Sequence, residues 1–354
     1  MNSNRVVLHV IDTLWLGGAQ QVVKLIMEHE RDNPNMHLLV LRKTSEMIDI
    51  NHPNVHFVDV SFKWDFSKAR REMQRLIENL QVDILHCHLP KSQTLGALMK
   101  QRFRGMHLVF QEQGDILDPL PNNLPVYRLS KKSIAKVICC SAAVQDAVVR
   151  RGGVMRLRTM VLHNPLTIPL CFERGRSTSS LRIGFAGRIT RHKGWRDFLQ
   201  AIGLLALKYP DSIFSIHVAG VGPELLKFEK RTKKLPANVK VTMHGMVEKM
   251  EIFYDRLDVL VVPSHREPVG MVHIEAMARR VAVIASDVPG MNEVLVNNEN
   301  AILVDAHQPA VIASALSELM DMDRRNQLVD KAFKYAEKHI FKVYYQQLLT
   351  NYPL

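Results

Sequence analysis

Two carboxylates, Glu267 and Glu275, stand eight positions apart in PSHREPVGMVHIEAMA, residues 263–278. The stretch follows an apolar run, DVLVVP (258–263), and its pattern predicts a helix over about 270–279. Strand, then a Pro- and Gly-containing loop, then helix places the backbone N–H groups of Gly270, Met271 and Val272 at a helix start, where they attract an anion. Glu267 falls in the loop before that point, and Glu275 more than one turn into the helix. An anion site with one carboxylate ahead of it and one behind suits a ligand with a diphosphate and hydroxyls at both ends, such as a nucleotide sugar. The plain alternative is a surface helix carrying two solvated acids.

A second cluster lies in SLRIGFAGRITRHKG, residues 180–194. A predicted strand ends in a loop holding Arg188, Arg191, His192 and Lys193. Fixed cations at a strand end match a diphosphate, whose charge must be neutralised as it leaves. Arg188 and Lys193 are expected on an exposed loop, replaceable without harm to folding. The alternative is a basic surface turn.

Two further places carry candidate residues. VDILHCH (82–88) reads as a strand with His88 at its carboxyl end, where open α/β sheets bind ligands. Side chains alternate along a strand, so His86, Cys87 and His88 are not expected to converge on a metal. His86 faces the side of His88, one pleat deeper. Near the start, WLGGAQ sets Gly17 and Gly18 between a strand and a helix, where glycine lets backbone approach a ligand. It is not GxGxxG. Gly220 and Gly222 are followed by Pro223, so a dinucleotide fingerprint is declined there too.

With the EPVG…EAMA context, Glu267-x7-Glu275 resembles the motif of retaining glycosyltransferases of family 4, which have the GT-B fold. Gly187-Arg188 with Lys193-Gly194 is similar to that family's GR…KG motif, and His86-x-His88 to its HxH pattern. The resemblance implies two Rossmann-like α/β domains with parallel sheets facing a central cleft. It places the acceptor domain at residues 1–168 and the nucleotide-sugar domain at 169–339, with a helix over about 340–354 packing back on the first. It implies that Arg188 and Lys193 clamp the diphosphate and that Gly270, Met271 and Val272 add N–H dipoles. Glu275 takes the ribose, while the catalytic residues Glu267 and His88 hold the sugar. Gly17 and Gly18 line the donor phosphate and acceptor side. The implied activity is a metal-independent hexosyltransferase using a nucleotide sugar, UDP by family frequency, and a glycan or glycolipid acceptor, as in lipopolysaccharide or other envelope polysaccharide synthesis. A sugar phosphorylase or nucleotide-sugar epimerase of the same two-domain build is the alternative among enzymes.

The elements that must hold these residues are legible as alternating strands and helices. Apolar strand runs recur at 37–42, 55–60, 107–116 and 135–144, with Ser141 as a helix cap, and 159–169 closes a first sheet. Helices are predicted over 20–30, 67–79 and 92–101. DPLPNNLPVYRLSKK (118–132) reads as a Pro-rich acceptor loop, and the polar 171–180 stretch as a linker. The stretches 214–230 and 281–295 each read as strand, turn and helix, and with strands at 239–245 and 300–305 they build a second sheet. Two helices, 309–321 and about 324–344, close the chain. Tyr344, Tyr345 and Tyr352 are expected to cross back onto the first domain.

Composition narrows the class. The chain has 354 residues, 47% of them apolar, about two domains' worth. No apolar run reaches the ~18 residues of a membrane span, and the N-terminal apolar stretch is too short for a secretory signal. Four cysteines without a CxxC pair read as reduced, buried cytosolic thiols. The one Asp-x-Asp, Asp321-Met322-Asp323, lies at a helix boundary away from any strand-end loop. Net charge is +12, and residues 99–158 hold eleven Lys and Arg against four acids. That bias suits an anionic saccharide, an anionic leaflet or nucleic acid, or is simply a solvated face. A basic nucleic-acid-binding protein is the rival of another class. Against it, the cations are not interleaved with aromatics and no zinc or helix-turn-helix spacing occurs. A cytoplasmic enzyme, held to the inner membrane face by charge, is the expectation.

Overall fold

The computed structural model describes residues 5–15, 17–44, 47–58, 65–118, 121–173 and 180–353. The chain forms two compact units, Met1–Thr167 with Phe341–Leu354, and Ile168–Ile340.

Among the described residues of unit 1, seven strands make one sheet: β1 (Val7–Ile11), β2 (Met36–Val40), β3 (Val55–Phe57), β4 (Ile84–His88), β5 (His107–Glu112), β6 (Ile134–Cys139) and β7 (Thr159–Val161). Their order is β3-β2-β1-β4-β5-β6-β7, all parallel. β1, β2 and β4 are buried at every residue. Both sheet faces are therefore covered, which explains why these strands read as unbroken apolar runs. Helix Gly18–His29 lays Val22, Val23, Ile26 and Met27 on the sheet. Helix Phe66–Leu80 starts at Asp65, whose carboxylate accepts from Ser67 and Lys68 N–H. Ser141 caps Ala142–Arg150 by accepting from Val144 N–H.

Unit 2 repeats the plan with six strands: β8 (Leu181–Ala186), β9 (Phe214–Ala219), β10 (Val239–Gly245), β11 (Val259–Val262), β12 (Ala282–Ser286) and β13 (Ile302–Val304), in the order β10-β9-β8-β11-β12-β13. Its pairings are parallel. Trp195, Phe198, Leu199, Ile202 and Leu205 of helix Trp195–Lys208 pack into a core with Phe185, Phe214 and Phe228.

In each sheet the strand order reverses beside its first strand, between β1 and β4 and between β8 and β11. The loops leaving those strands splay apart, and this switch point is where open α/β sheets hold ligands. Gly17 and His88 follow or end β1 and β4, whereas residues 187–193 and 263–267 follow β8 and β11.

Two elements differ from the sequence expectation. The long helix expected over 324–344 is broken. Helix Met322–Ala336 ends in a 3-10 turn, Glu337–His339, and Ile340 is extended at φ −64°, ψ 147° before helix Phe341–Thr350. The apolar period runs through the break because both pieces bury a face, each in a different unit. Tyr344, Tyr345, Leu348 and Tyr352 join the core of unit 1, and the Tyr352 hydroxyl meets His86 Nδ1 at 2.8 Å. Second, the Pro-rich 118–132 segment contains helix Leu124–Ser130, with Pro125 in its first turn where a missing N–H costs nothing. It is anchored by Glu112, fully buried at the end of β5. That carboxylate accepts from Asn123 Nδ2 (2.7 Å), Tyr127 OH (2.8 Å) and the N–H groups of Gly114 and Ile116. Part of the segment (119–120), part of the linker (174–179) and the end of the expected strand 55–60 lie outside the described residues.

Candidate functional site

The switch point of unit 2 brings the two motif clusters together. Lys193 Nζ meets Glu267 Oε2 at 2.5 Å, and Ser264 Oγ donates to the same oxygen at 3.0 Å. The backbones are joined as well: His265 N–H donates to His192 O at 2.7 Å. Gly194 is left-handed at φ 68°, and a Cβ there would stand 1.7 Å from Pro263 O. Only glycine allows this approach. Glu267 is 5% exposed and Lys193 partly buried, so the expectation of a freely exposed Lys193 is corrected: it neutralises a buried carboxylate. Burial alone would push the Glu267 carboxyl up. The Lys193 charge and hydrogen bond, with that of Ser264, outweigh burial and hold it below its ordinary value. Arg188 does lie exposed, in the loop after β8.

The helix over this loop is shorter than predicted. It spans Val272–Ala278, with Gly270 left-handed at φ 77° and Met271 as cap. Glu275 therefore closes the first turn, its N–H donating to Met271 O at 3.0 Å, and does not lie more than a turn inside. The reason is local: a left-handed residue cannot continue into a right-handed helix. Among the described residues no backbone carbonyl takes the N–H groups of Gly270, Met271 or Val272. The Glu275 carboxylate is buried and accepts from Tyr254 OH at 2.7 Å. Burial, with the Glu275 charge, pushes that phenol well up, so it stays a donor.

Several supporting residues escaped the sequence reading. Gly290 is left-handed, and a Cβ on it would come within 2.2 Å of Pro268 O. Gly220 and Gly222, rejected as a dinucleotide signature, let residues 187–189 lie on the β9 exit; their Cβ atoms would meet Gly187 O and Ile189 O at 2.0 and 2.4 Å. The VPG and GVG spacings were the available signals. Asp321 accepts from Asp323 and Arg324 N–H and caps helix Met322–Ala336, which gives the Asp-x-Asp a structural duty.

At the switch point of unit 1, Gly18 is the first residue of its helix and Gly17 the cap, at φ −175°, an extended conformation open to any residue. The use of Gly17 lies in its missing side chain, since a Cβ would crowd Gln20 Oε1 at 2.7 Å. His88 ends β4 and is fully buried. Cys87 turns to the opposite face, against Gly96, as alternation requires. His86 and His88, however, do converge, with ring centroids 4.4 Å apart, and His9 of β1 joins them: its Nδ1 lies 3.0 Å from His88 Nε2. The parallel register sets His9 opposite His86, a pairing that one strand's alternation does not reveal. Leu89 follows His88 at φ 75°, ψ 160°, a strained region for leucine. It is held there by Asp12, which accepts from Lys91 and Ser92 N–H at 3.1 and 2.7 Å.

All three imidazoles are neutral at pH 7. Burial pushes His9 down to about 3, and burial with mutual repulsion holds His86 and His88 well below the ordinary 6.5.

Comparisons with known proteins fit this geometry. The family model "Glycosyl transferases group 1" matches residues 172–338, and "Glycosyltransferase Family 4" matches 16–168. The putative glycosyltransferase EpsD of Bacillus subtilis is 25% identical over 270 residues, 70% of each chain. The crystal structure of Anabaena HepE in complex with UDP-glucose superposes with a TM-score of 0.82 at 18% identity, covering 98% of this chain and 99% of that one. The lipopolysaccharide outer core galactosyltransferase WaaB superposes at 0.71 and 14% identity, covering 97% and 98%. At such identities the two structures speak for the fold.

The histidine cluster carries a pH prediction. Below about 6.5 the unfolded chain binds protons that folded His9, His86 and His88 refuse, so stability falls with pH through the window down to about 3. Each such group contributes up to about 1.4 kcal/mol per pH unit. Thermal unfolding from about pH 6.5 to about pH 5 should show a falling Tm, and His9→Gln a shallower slope. A Tm that is flat over this range in the native chain contradicts the assignment.

Proposed function

We propose that this chain, which belongs to family 4 of the glycosyltransferases and has the GT-B fold, moves a sugar from a UDP-sugar to a glycan or glycolipid with retention at the anomeric carbon. The observation that supports the reading is the unit 2 switch point, where Lys193 from the loop after β8 pairs with Glu267 from the loop that leads into helix Val272–Ala278, with Arg188 exposed earlier in the first of those loops. In this reading Arg188 and Lys193 hold the diphosphate and offset the charge that grows as UDP departs. Glu275, steadied by Tyr254, takes the ribose hydroxyls. Glu267, fixed by Lys193 and Ser264, holds the sugar. His88, which the resemblance assigns to the sugar, is enclosed at the end of β4 and hydrogen-bonded to His9. Fixed cations do the work a metal does elsewhere, so the transfer step is assigned none. HepE was crystallised with UDP-glucose, which favours UDP as the nucleotide. WaaB, a lipopolysaccharide galactosyltransferase, favours an envelope acceptor.

Arg188→Ala tests the diphosphate assignment cleanly, because its exposure leaves the fold intact. Loss of the donor should lower kcat by ~100-fold or more with Tm unchanged. Full UDP release from UDP-sugars by the variant refutes the role.

A peripheral place at an anionic membrane face is part of the same reading. Among the described residues no helix is long and apolar enough to cross a membrane. Arg158 donates to Lys132 O and Ile134 O, which sets the 156–158 turn beside 131–134. Leu129, Met155 and Leu157 are 88%, 53% and 75% exposed there, near exposed Lys131 and Lys132. Each cation near an anionic leaflet contributes about 1 kcal/mol. Co-sedimentation with anionic vesicles should be lost at high salt and in Lys131→Glu/Lys132→Glu; binding indifferent to both excludes attachment by this face.

A further inference from the structure

Asp197, His265 and His307 reach one point of unit 2 from three separate places. Asp197 lies in the first turn of helix Trp195–Lys208, His265 in the loop after β11, and His307 in the loop after β13. One donor atom from each lies within 4.8 Å of the others. Asp197 Oδ2 is 2.6 Å from His265 Nε2 and 3.8 Å from His307 Nδ1. The two imidazole centroids are 3.6 Å apart, tilted by 37°.

We propose that these three side chains bind one divalent transition-metal ion of the zinc class. Two imidazoles and a carboxylate form a donor set that suits Zn²⁺, Co²⁺ or Ni²⁺, with bonds of roughly 2.0–2.2 Å and a fourth position left for water. An ion would draw His307 toward Asp197 while the carboxylate opens slightly from His265. Access favours this cluster over the other histidine group. His307 has a side chain 66% exposed, so an ion enters from solvent. His9, His86 and His88 are fully enclosed, and one nitrogen of each is already taken, by a fellow histidine or by Tyr352.

The position gives the ion a consequence. His265 N–H is bonded to His192 O, and Glu267, two residues on, is paired with Lys193. A metal bridging His265 to Asp197 and His307 ties the loop bearing Glu267 to the start of one helix and to the β13 exit. It stiffens this loop without joining the transfer chemistry, and the site stands whether or not the chain transfers a sugar.

The test is calorimetry of untagged, chelator-stripped full-length protein with ZnCl₂, together with the visible spectrum of the Co²⁺ form. The expected result is one tight equivalent, a tetrahedral Co²⁺ band and a raised Tm. His307→Ala and Asp197→Asn, both folded, should weaken binding by at least the ~10–100-fold that even an outer-sphere partner is worth, and abolish the Tm rise. No binding, equal binding by wild type and both variants, or a loss confined to His88→Ala would overturn the proposal; the last would move the ion to the enclosed cluster.

Discussion

The ion pair between Lys193 and Glu267 is the constraint on which the candidate site depends. A carboxylate 5% exposed would ordinarily take up a proton, since burial disfavours its charge. Lys193 reverses that balance from a different loop. Keeping Glu267 ionised therefore requires the β8 and β11 exits to be in register, and the structure enforces it through His265 N–H on His192 O and the side-chain-free approach of Gly194 to Pro263. Removing one member of a buried pair costs more than the pair contributes, typically about 3–5 kcal/mol, because the survivor is left charged and unsolvated. Lys193 is thus both a chemical candidate and a structural one, and Arg188, exposed, only the first.

The same logic of switch points runs through unit 1, with different chemistry. There the strand ends carry three neutral, enclosed histidines and a strained Leu89 pinned by Asp12. Helix Phe341–Thr350 and Tyr352 complete this core from the far end of the chain. Glu112 adds a second rigid point, holding Asn123 and Tyr127 and with them the helix of the Pro-rich segment.

Much of this was readable in the residues. β1, β2, β4 and β11 announced themselves because strands buried on both faces are continuous apolar runs. Lys193 and Glu267, which touch in the structure, were both singled out from strand–loop–helix units and the family resemblance. What escaped depends on contacts between distant segments. His9 joins His86 only through parallel register; Tyr254 reaches Glu275 and Gly290 reaches Pro268 only in three dimensions. The break at Ile340 was masked because apolar period survives when both pieces bury a face, and the start of helix Val272–Ala278 was set by the handedness of Gly270, which periodicity does not encode.

The central claim is that Lys193 and Glu267 act as one unit that stitches two loops. A double-mutant cycle on unfolding free energy tests it directly, using Lys193→Met, Glu267→Gln and the pair. Contacting charged residues couple by roughly 0.5–3 kcal/mol, and a pair this buried should fall in the upper half of that range, with the double variant more stable than the sum of the singles implies. Additive losses, with coupling below about 0.3–0.5 kcal/mol, would mean that the two side chains are held by their separate loops and that the ion pair organises nothing.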